Sequence, residues 1–200
     1  MGVHRRAAHD QVPSQARPAL NATPVLAILA SYLLGATNVY RMLGWKYAIP
    51  VALFDIAKGA VPVLVFSHPA WLAVAVGVAA VLGHMFSPYV SFKGGKGVAT
   101  AAGMFLALAP VAVLLAIPAW GICLWLTGYV SLSSIIAVLT VPVSVALLQP
   151  DSPVVFWASI ALVALIIFAH RRNIRRLLAG TENRFRTRPS DRPTVRPSDR

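Results

Sequence analysis

Acidic residues are scarce in this chain: six in 200, against eighteen lysines and arginines. Charged residues of both signs make up only 12%, well below the roughly one quarter of a soluble domain, while 58% of residues are hydrophobic and the mean hydropathy is +0.70. That shortage excludes an ordinary soluble fold and points to a membrane protein. Cysteine is nearly absent too. The only one, Cys123, sits in an apolar run without a partner, which excludes a disulfide scaffold. Metal-ligand patterns are lacking as well: His84 and His170 have no Cys, Asp or Glu at ligand spacing, so neither a metal nor any other cofactor is expected.

The charge that is present lies at the ends. Between Leu20 and His170 there are five basic residues (Arg41, Lys46, Lys58, Lys93, Lys96) and two acidic ones (Asp55, Asp151). From Arg171 onward ten arginines face three acids, a net +7. A basic tail beside a last span reads as cytoplasmic, facing anionic lipid. This distribution gives no basic face on a folded domain, so nucleic acid is not an expected partner. Residues 1–20 are polar, with Pro13 and Pro18, and read as a disordered leader without a cleavable signal peptide. Residues 183–200 read as a disordered basic tail, and 21–182 as the membrane domain.

Apolar segments run over Thr23–Gly35, Tyr47–Phe66, Ala70–Phe86, Val98–Leu126, Tyr129–Leu148 and Val154–Ala169. A span needs about 20 apolar residues. The first segment, of thirteen, falls short; the fourth, of twenty-nine, is interrupted by Pro110 and Pro118 and is expected to split into a short helix before Pro110 and a longer one after it. The expected fold is an all-α, polytopic membrane bundle of about seven helices, some short or broken.

Polar residues among such spans are candidates for function, because hydrocarbon tolerates them only where protein or water satisfies them. They form three clusters. The first holds Thr37, Asn38 and Arg41, followed on the next helix by Asp55 and Lys58, which at three apart share a face. That pair is either an ion pair within the bundle or a lysine that holds an anion with the aspartate orienting it. The second runs from Gly83 to Thr100 and contains His84 and the string Phe92-Lys93-Gly94-Gly95-Lys96-Gly97. Glycines let backbone amides approach an anion, and lysines beside a helix N-terminus add full charge to the partial charge of the amides. This describes a phosphate site, with a tight membrane turn whose lysines reach headgroups as the plainer alternative. It is not a Walker A loop, since Val90 and Gly97 stand where that loop needs glycine and a hydroxyl. The third cluster, His170 to Glu182, is arginine-rich as a membrane anchor would be, but arginine count does not account for His170, Asn173 and Glu182. If a helix continues through it, His170 and Asn173 share a face with Ile174 and Leu177.

Together the clusters resemble the bacterial acyl-phosphate-dependent glycerol-3-phosphate acyltransferases of the PlsY type. The resemblance rests on Gly35-Ala36-Thr37-Asn38 with Arg41, on Gly83-His84-Met85-Phe86 with Phe92 to Thr100, on His170-Arg171-Arg172-Asn173-Ile174 with Gly180-Thr181-Glu182, and on Tyr129-Val130-Ser131-Leu132 between the last two. The first motif is shortened: Ser31-Tyr32-Leu33-Leu34 runs straight into Gly35, leaving the family's motif serine without a counterpart, and Gly128 stands where the family tends to have arginine. None of the five histidines has Asp five residues later, so the signature of the other large glycerolipid acyltransferase family is absent.

The resemblance implies acyl transfer from acyl-phosphate to the primary hydroxyl of glycerol 3-phosphate, giving lysophosphatidic acid and phosphate in phospholipid synthesis. It implies a multi-pass cell-membrane location with a cytoplasmic C-terminus. His84, Lys96, His170 and Asn173 are the candidate catalytic residues. Thr37, Asn38, Arg41, Asp55, Lys58, Lys93, Gly94, Gly95, Gly97, Thr100, Ser131 and Glu182 are the candidate substrate-binding residues. A degenerate, non-catalytic relative or an anion or lipid transporter is the alternative.

Overall fold

The computed structural model describes residues 44–87 and 94–185. Thr37, Asn38, Arg41 and Lys93 lie outside the described residues, as does the expected segment Thr23–Gly35. Seven helices are described: α1 Trp45–Val65, α2 Ala70–Met85, α3 Val98–Leu108, α4 Pro110–Thr127, α5 Val130–Leu148, α6 Pro153–Ala169 and α7 Arg171–Leu178.

Proline and glycine punctuate the chain as their chemistry requires. Pro110 and Pro153 open α4 and α6 at the first helical positions, where the missing N–H costs nothing. The expected split of the long apolar segment is present, with Ala109 at φ −147° between α3 and α4. Gly128, at φ +74°, ends α4 in the left-handed conformation and turns the chain back into α5.

Among the described residues α1, α4 and α5 are long and apolar enough to cross a membrane. The pair α6 and α7 passes together, bent by 58° at His170. Helices α2 and α3 have 16 and 11 residues, so at about 1.5 Å per residue neither reaches the thickness of about 30 Å of a hydrocarbon core. Helix does continue past His170, but around a corner: His170 closes α6 and starts α7 in a new direction.

Packing is inside-out relative to a soluble protein. Large apolar side chains such as Trp71, Trp125, Leu147 and Trp157 face outward, while Asp55, His84, Thr100, Ser131, His170, Asn173 and Glu182 are buried. One apolar core, centred on Val81, Met104, Val145 and Ile166, joins α2 to α6. Helices α1 and α3 cross with their backbones in contact, because Gly59 and Gly103 carry no Cβ. A methyl at Gly59 would overlap the Thr100 carbonyl, and one at Gly103 the Ile56 carbonyl. Small residues at a crossing are the usual device where lipid offers no hydrophobic drive for helices to associate.

Candidate active site

Two polar corners are built at the ends of apolar helices. At the first, Asp55 and Lys58 lie one turn apart on α1, and Lys58 Nζ donates to Asp55 Oδ1 at 2.5 Å. His84, in the last turn of α2, meets the same ammonium, with Nδ1 2.7 Å from Lys58 Nζ. Both readings of the Asp55–Lys58 pair assumed a partner on the same helix; the structure adds His84 from another.

The glycine loop folds over this triad. Gly94 N–H donates to the Met85 carbonyl at 3.1 Å, and methyls at Gly94 and Gly95 would overlap the His84 carbonyl and the His84 ring. Gly97 caps α3 at φ +79°, pressed against Met85 and Val81, where a side chain would be both strained and crowded. The first amides of α3 are not capped by any side chain of the described residues, and beside Lys96 that arrangement suits an anion.

The second corner is where α6 bends into α7. His170 is 1% exposed, and its Nδ1–H donates to the Ile166 carbonyl at 2.8 Å. Burial, then the Lys96 charge, lower its pKa to about 4, so the ring is neutral at pH 7. That electrostatic effect also ties the corners together, since the Lys96 ammonium of the glycine loop is felt at His170.

One turn further on, Asn173 Nδ2 donates to Glu182 Oε1 at 2.7 Å, and Ser131 Oγ, from α5, donates to the same oxygen at 2.9 Å. Arg176 Nε donates to Oε2 at 2.6 Å. Burial raises the Glu182 pKa, but the hydrogen bonds of Arg176, Asn173 and Ser131 outweigh it and leave the carboxyl below its ordinary value. A third set of contacts fastens the segment that carries Glu182: Phe185 N–H donates to the Gly128 carbonyl at 2.7 Å, and Arg184 Nε donates to the Tyr129 hydroxyl at 3.1 Å.

The structure brings Asp55, Lys58, His84, Gly94, Gly95, Lys96 and Gly97 to one corner, and Ser131, His170, Asn173 and Glu182 to the other, adjoining one. Thr100 goes elsewhere. It is fully buried at the α1–α3 crossing, and its hydroxyl has no hydrogen-bond partner among the described residues, so it packs the crossing instead of lining the loop. Ser131 is spent on Glu182. Past Glu182, Arg184 and Phe185 are held against the α4–α5 turn. Arg176, read from sequence as one of the anchoring arginines, is the ion-pair partner of Glu182. A signal for it existed: in the sequence Glu182 is the only acid within reach of that arginine cluster.

An apolar cavity of about 60 Å³ lies among α3, α4, α5 and α6, with Val98 beside the glycine loop and Ile166 beside His170 in its wall. No cluster of three metal-ligating side chains occurs among the described residues.

Comparison with known proteins gives the family. The family model described as glycerol-3-phosphate acyltransferase matches residues 26–180. The glycerol-3-phosphate acyltransferase of Geobacter sulfurreducens is 47% identical over 158 residues, and that of Geotalea daltonii 45% over 157, each alignment covering 76% of this chain and 80% of the relative. The Aquifex aeolicus acyltransferase is 46% identical over 157 residues, with the same coverage. Crystal structures of PlsY, an integral membrane glycerol 3-phosphate acyltransferase, in its lysophosphatidic acid and glycerol 3-phosphate forms superpose with a TM-score of 0.72 at 38% and 37% identity, covering 82% of this chain and 96% of theirs. Sequence and fold thus select one assignment across most of the chain, which belongs to the glycerol-3-phosphate acyltransferase family.

Proposed function

We propose that this protein transfers an acyl group from an acyl-phosphate to the primary hydroxyl of glycerol 3-phosphate, releasing lysophosphatidic acid and inorganic phosphate at the membrane. The observation that carries the reading is the glycine loop at the N-terminus of α3, folded against His84 and joined to the His170 corner by the cavity whose wall holds both Val98 and Ile166. Two anionic reactants have to be held side by side, and a loop of backbone amides and lysine next to a fixed polar corner suits that task. The relatives' shared activity supports an enzyme over a degenerate or anion-transporting member.

In the proposed step the glycerol 3-phosphate hydroxyl oxygen forms a bond to the acyl carbonyl carbon, and the bond from that carbon to the phosphate oxygen breaks. The hydroxyl proton leaves with the departing phosphate. Lys96, with Lys93 and the amides of Gly94, Gly95 and Gly97, binds phosphate oxygens, joined by Arg41, Thr37 and Asn38 of the first motif. Developing negative charge is stabilised by groups already in place, which is where such a site gains most. Asn173, held by Glu182, orients the attacking hydroxyl. His170, with its proton on Nδ1, offers Nε2 as an acceptor. The apolar cavity between Val98 and Ile166 receives the first methylenes of the acyl chain. The net +7 after His170 supports a cytoplasmic C-terminus, and with it a cytoplasmic site.

The test is acylation of labelled glycerol 3-phosphate by the purified protein, with acyl-phosphate and acyl-CoA compared as donors. Product from acyl-phosphate and none from acyl-CoA is the expected result. Transfer from acyl-CoA alone overturns the donor assignment, and no transfer from either overturns the reaction.

A further inference from the structure

His84 has one ring nitrogen committed and one presented. An ammonium has no lone pair, so Lys58 Nζ, 2.7 Å from His84 Nδ1, can only donate, and Nδ1 must accept. The ring proton then sits on Nε2. Asp55 does not compete for the ring, because its Oδ1 is 3.7 Å from Nδ1, beyond hydrogen-bond distance, and is taken by Lys58. Nε2 in turn lies against Gly95, where a Cβ would overlap it, and no acceptor meets it among the described residues. The Nε2–H edge is therefore turned toward the loop that carries Gly95 and Lys96.

We propose that the Asp55–Lys58 pair is a tautomer lock that keeps His84 neutral with its proton on Nε2, making His84 a hydrogen-bond donor to a substrate phosphoryl oxygen in the glycine loop. Asp55 and Lys58 are positioning residues in this role. The inference rests on reading the loop as the phosphate site. The ligand chemistry is a phosphate monoester or acyl-phosphate oxygen, and the kinetics separate the two sources. The device has a physical purpose: a neutral donor binds a phosphate oxygen without adding a further buried cation beside Lys58, and it cannot act as the proton acceptor, which leaves that part to the departing phosphate.

Two measurements test it. In the full-length protein labelled with ¹⁵N-histidine, the His84 resonances, identified by their loss in His84→Gln, should show a pyridine-like Nδ1 and a pyrrole-like Nε2, and Lys58→Met should abolish that pattern. A proton on Nδ1, or a doubly protonated ring at pH 7, overturns the lock whatever the protein catalyses. In the acyl-transfer assay His84→Ala should raise KM tenfold or more for glycerol 3-phosphate or for acyl-phosphate, naming the bound phosphate, with a smaller change in kcat. His84→Gln, which can accept from Lys58 through its carbonyl and donate through its amide, should recover most of that loss. Equal loss of kcat in both variants identifies a proton acceptor and overturns the donor role. If the wild-type protein transfers no acyl group, the function reading fails while the ¹⁵N pattern still decides the lock.

Discussion

The two polar corners each hold a buried histidine at the C-terminal end of an apolar helix, yet the two rings are used in opposite ways. At the α2 end a lysine occupies Nδ1 of His84 and leaves an N–H on Nε2. At the α6 end the Ile166 carbonyl occupies Nδ1 of His170 and leaves a lone pair on Nε2. One corner thus presents a donor beside the glycine loop and the other an acceptor beside Asn173. What a histidine offers a site is decided by the group that takes its first nitrogen, and that group comes from elsewhere in the fold in one case and from the preceding helical turn in the other.

The sharpest way to break this contrast is at Glu182, which collects three donors in the second corner. Glu182→Ala leaves Asn173 and Ser131 without their acceptor and removes a buried partner of a cation. A loss of about 3 kcal/mol in stability is expected on the scale of hydrogen bonds to charged groups and broken buried pairs, together with loss of turnover. Thermal unfolding in detergent beside the acyl-transfer assay measures both, and an unaltered unfolding midpoint would show that the carboxylate does not organise the corner.

Lys96→Ala acts on both corners at once. Removing a charged donor to substrate phosphate costs about 1.5 to 3 kcal/mol, roughly a tenfold to hundredfold drop in kcat/KM. The same change should raise the His170 pKa, because the Lys96 charge is the second-largest cause of its depression. Arg172→Ala, on the exposed face of α7, should do neither. Equal effects from the two substitutions would reduce the loop to a membrane turn.

The loop corner stands on the α1–α3 crossing, so Gly59→Ala and Gly103→Ala should lower thermal stability by about 1 to 3 kcal/mol through overpacking. Gly121→Ala, whose Cβ would meet open space, should be neutral or slightly stabilising, since alanine is the better helix former.

Acid should strike the second corner first. His170 is neutral in the folded protein down to about pH 4, whereas in the unfolded chain it takes a proton near 6.5. The unfolded state binds more protons between those values, so stability is full above about 6.5 and falls as pH drops toward 4. Glu182, whose pKa is lowered, contributes stability that is lost as pH falls below the ordinary carboxyl range. Both effects run in the same direction. Unfolding midpoints from pH 8 to 4 should decline, and His170→Gln should flatten the upper part of that decline.

The smallest effect is expected at Arg184. Its contact with Tyr129 is exposed, so Arg184→Ala should cost about 0.5 kcal/mol or less and leave KM within about twofold. A larger loss of turnover would mean that this clasp sets the position of Glu182.

Much of this was legible in the chain. The glycine and lysine spacing marked the loop, the i, i+3 spacing marked the Asp55–Lys58 pair, and Pro110 marked the break between α3 and α4. His170 and Asn173 stood out as polar residues that an arginine anchor does not require. The third member of the first triad was not legible, because His84 lies 26 residues from Lys58 and reaches it only once α2 has packed on α1. The partner of Ser131 was not legible either, because Glu182 lies 51 residues further on and nothing in the serine's own segment points to that carboxylate. Thr100 belonged to the loop motif in sequence and to the helix crossing in space.

Sequence by itself determined that this protein lives in a membrane and where its irregular backbone must fall. Apolar length, proline and glycine act locally and through transfer to lipid, and neither effect needs a neighbour. It also determined which side chains were too costly to sit in hydrocarbon without a purpose. Only the tertiary structure decided which partners satisfy them, and hence which nitrogen of each buried histidine keeps its proton. A hydrogen bond between distant helices depends on their crossing, and that crossing is set by contacts such as Gly59 against Thr100 that no local pattern encodes.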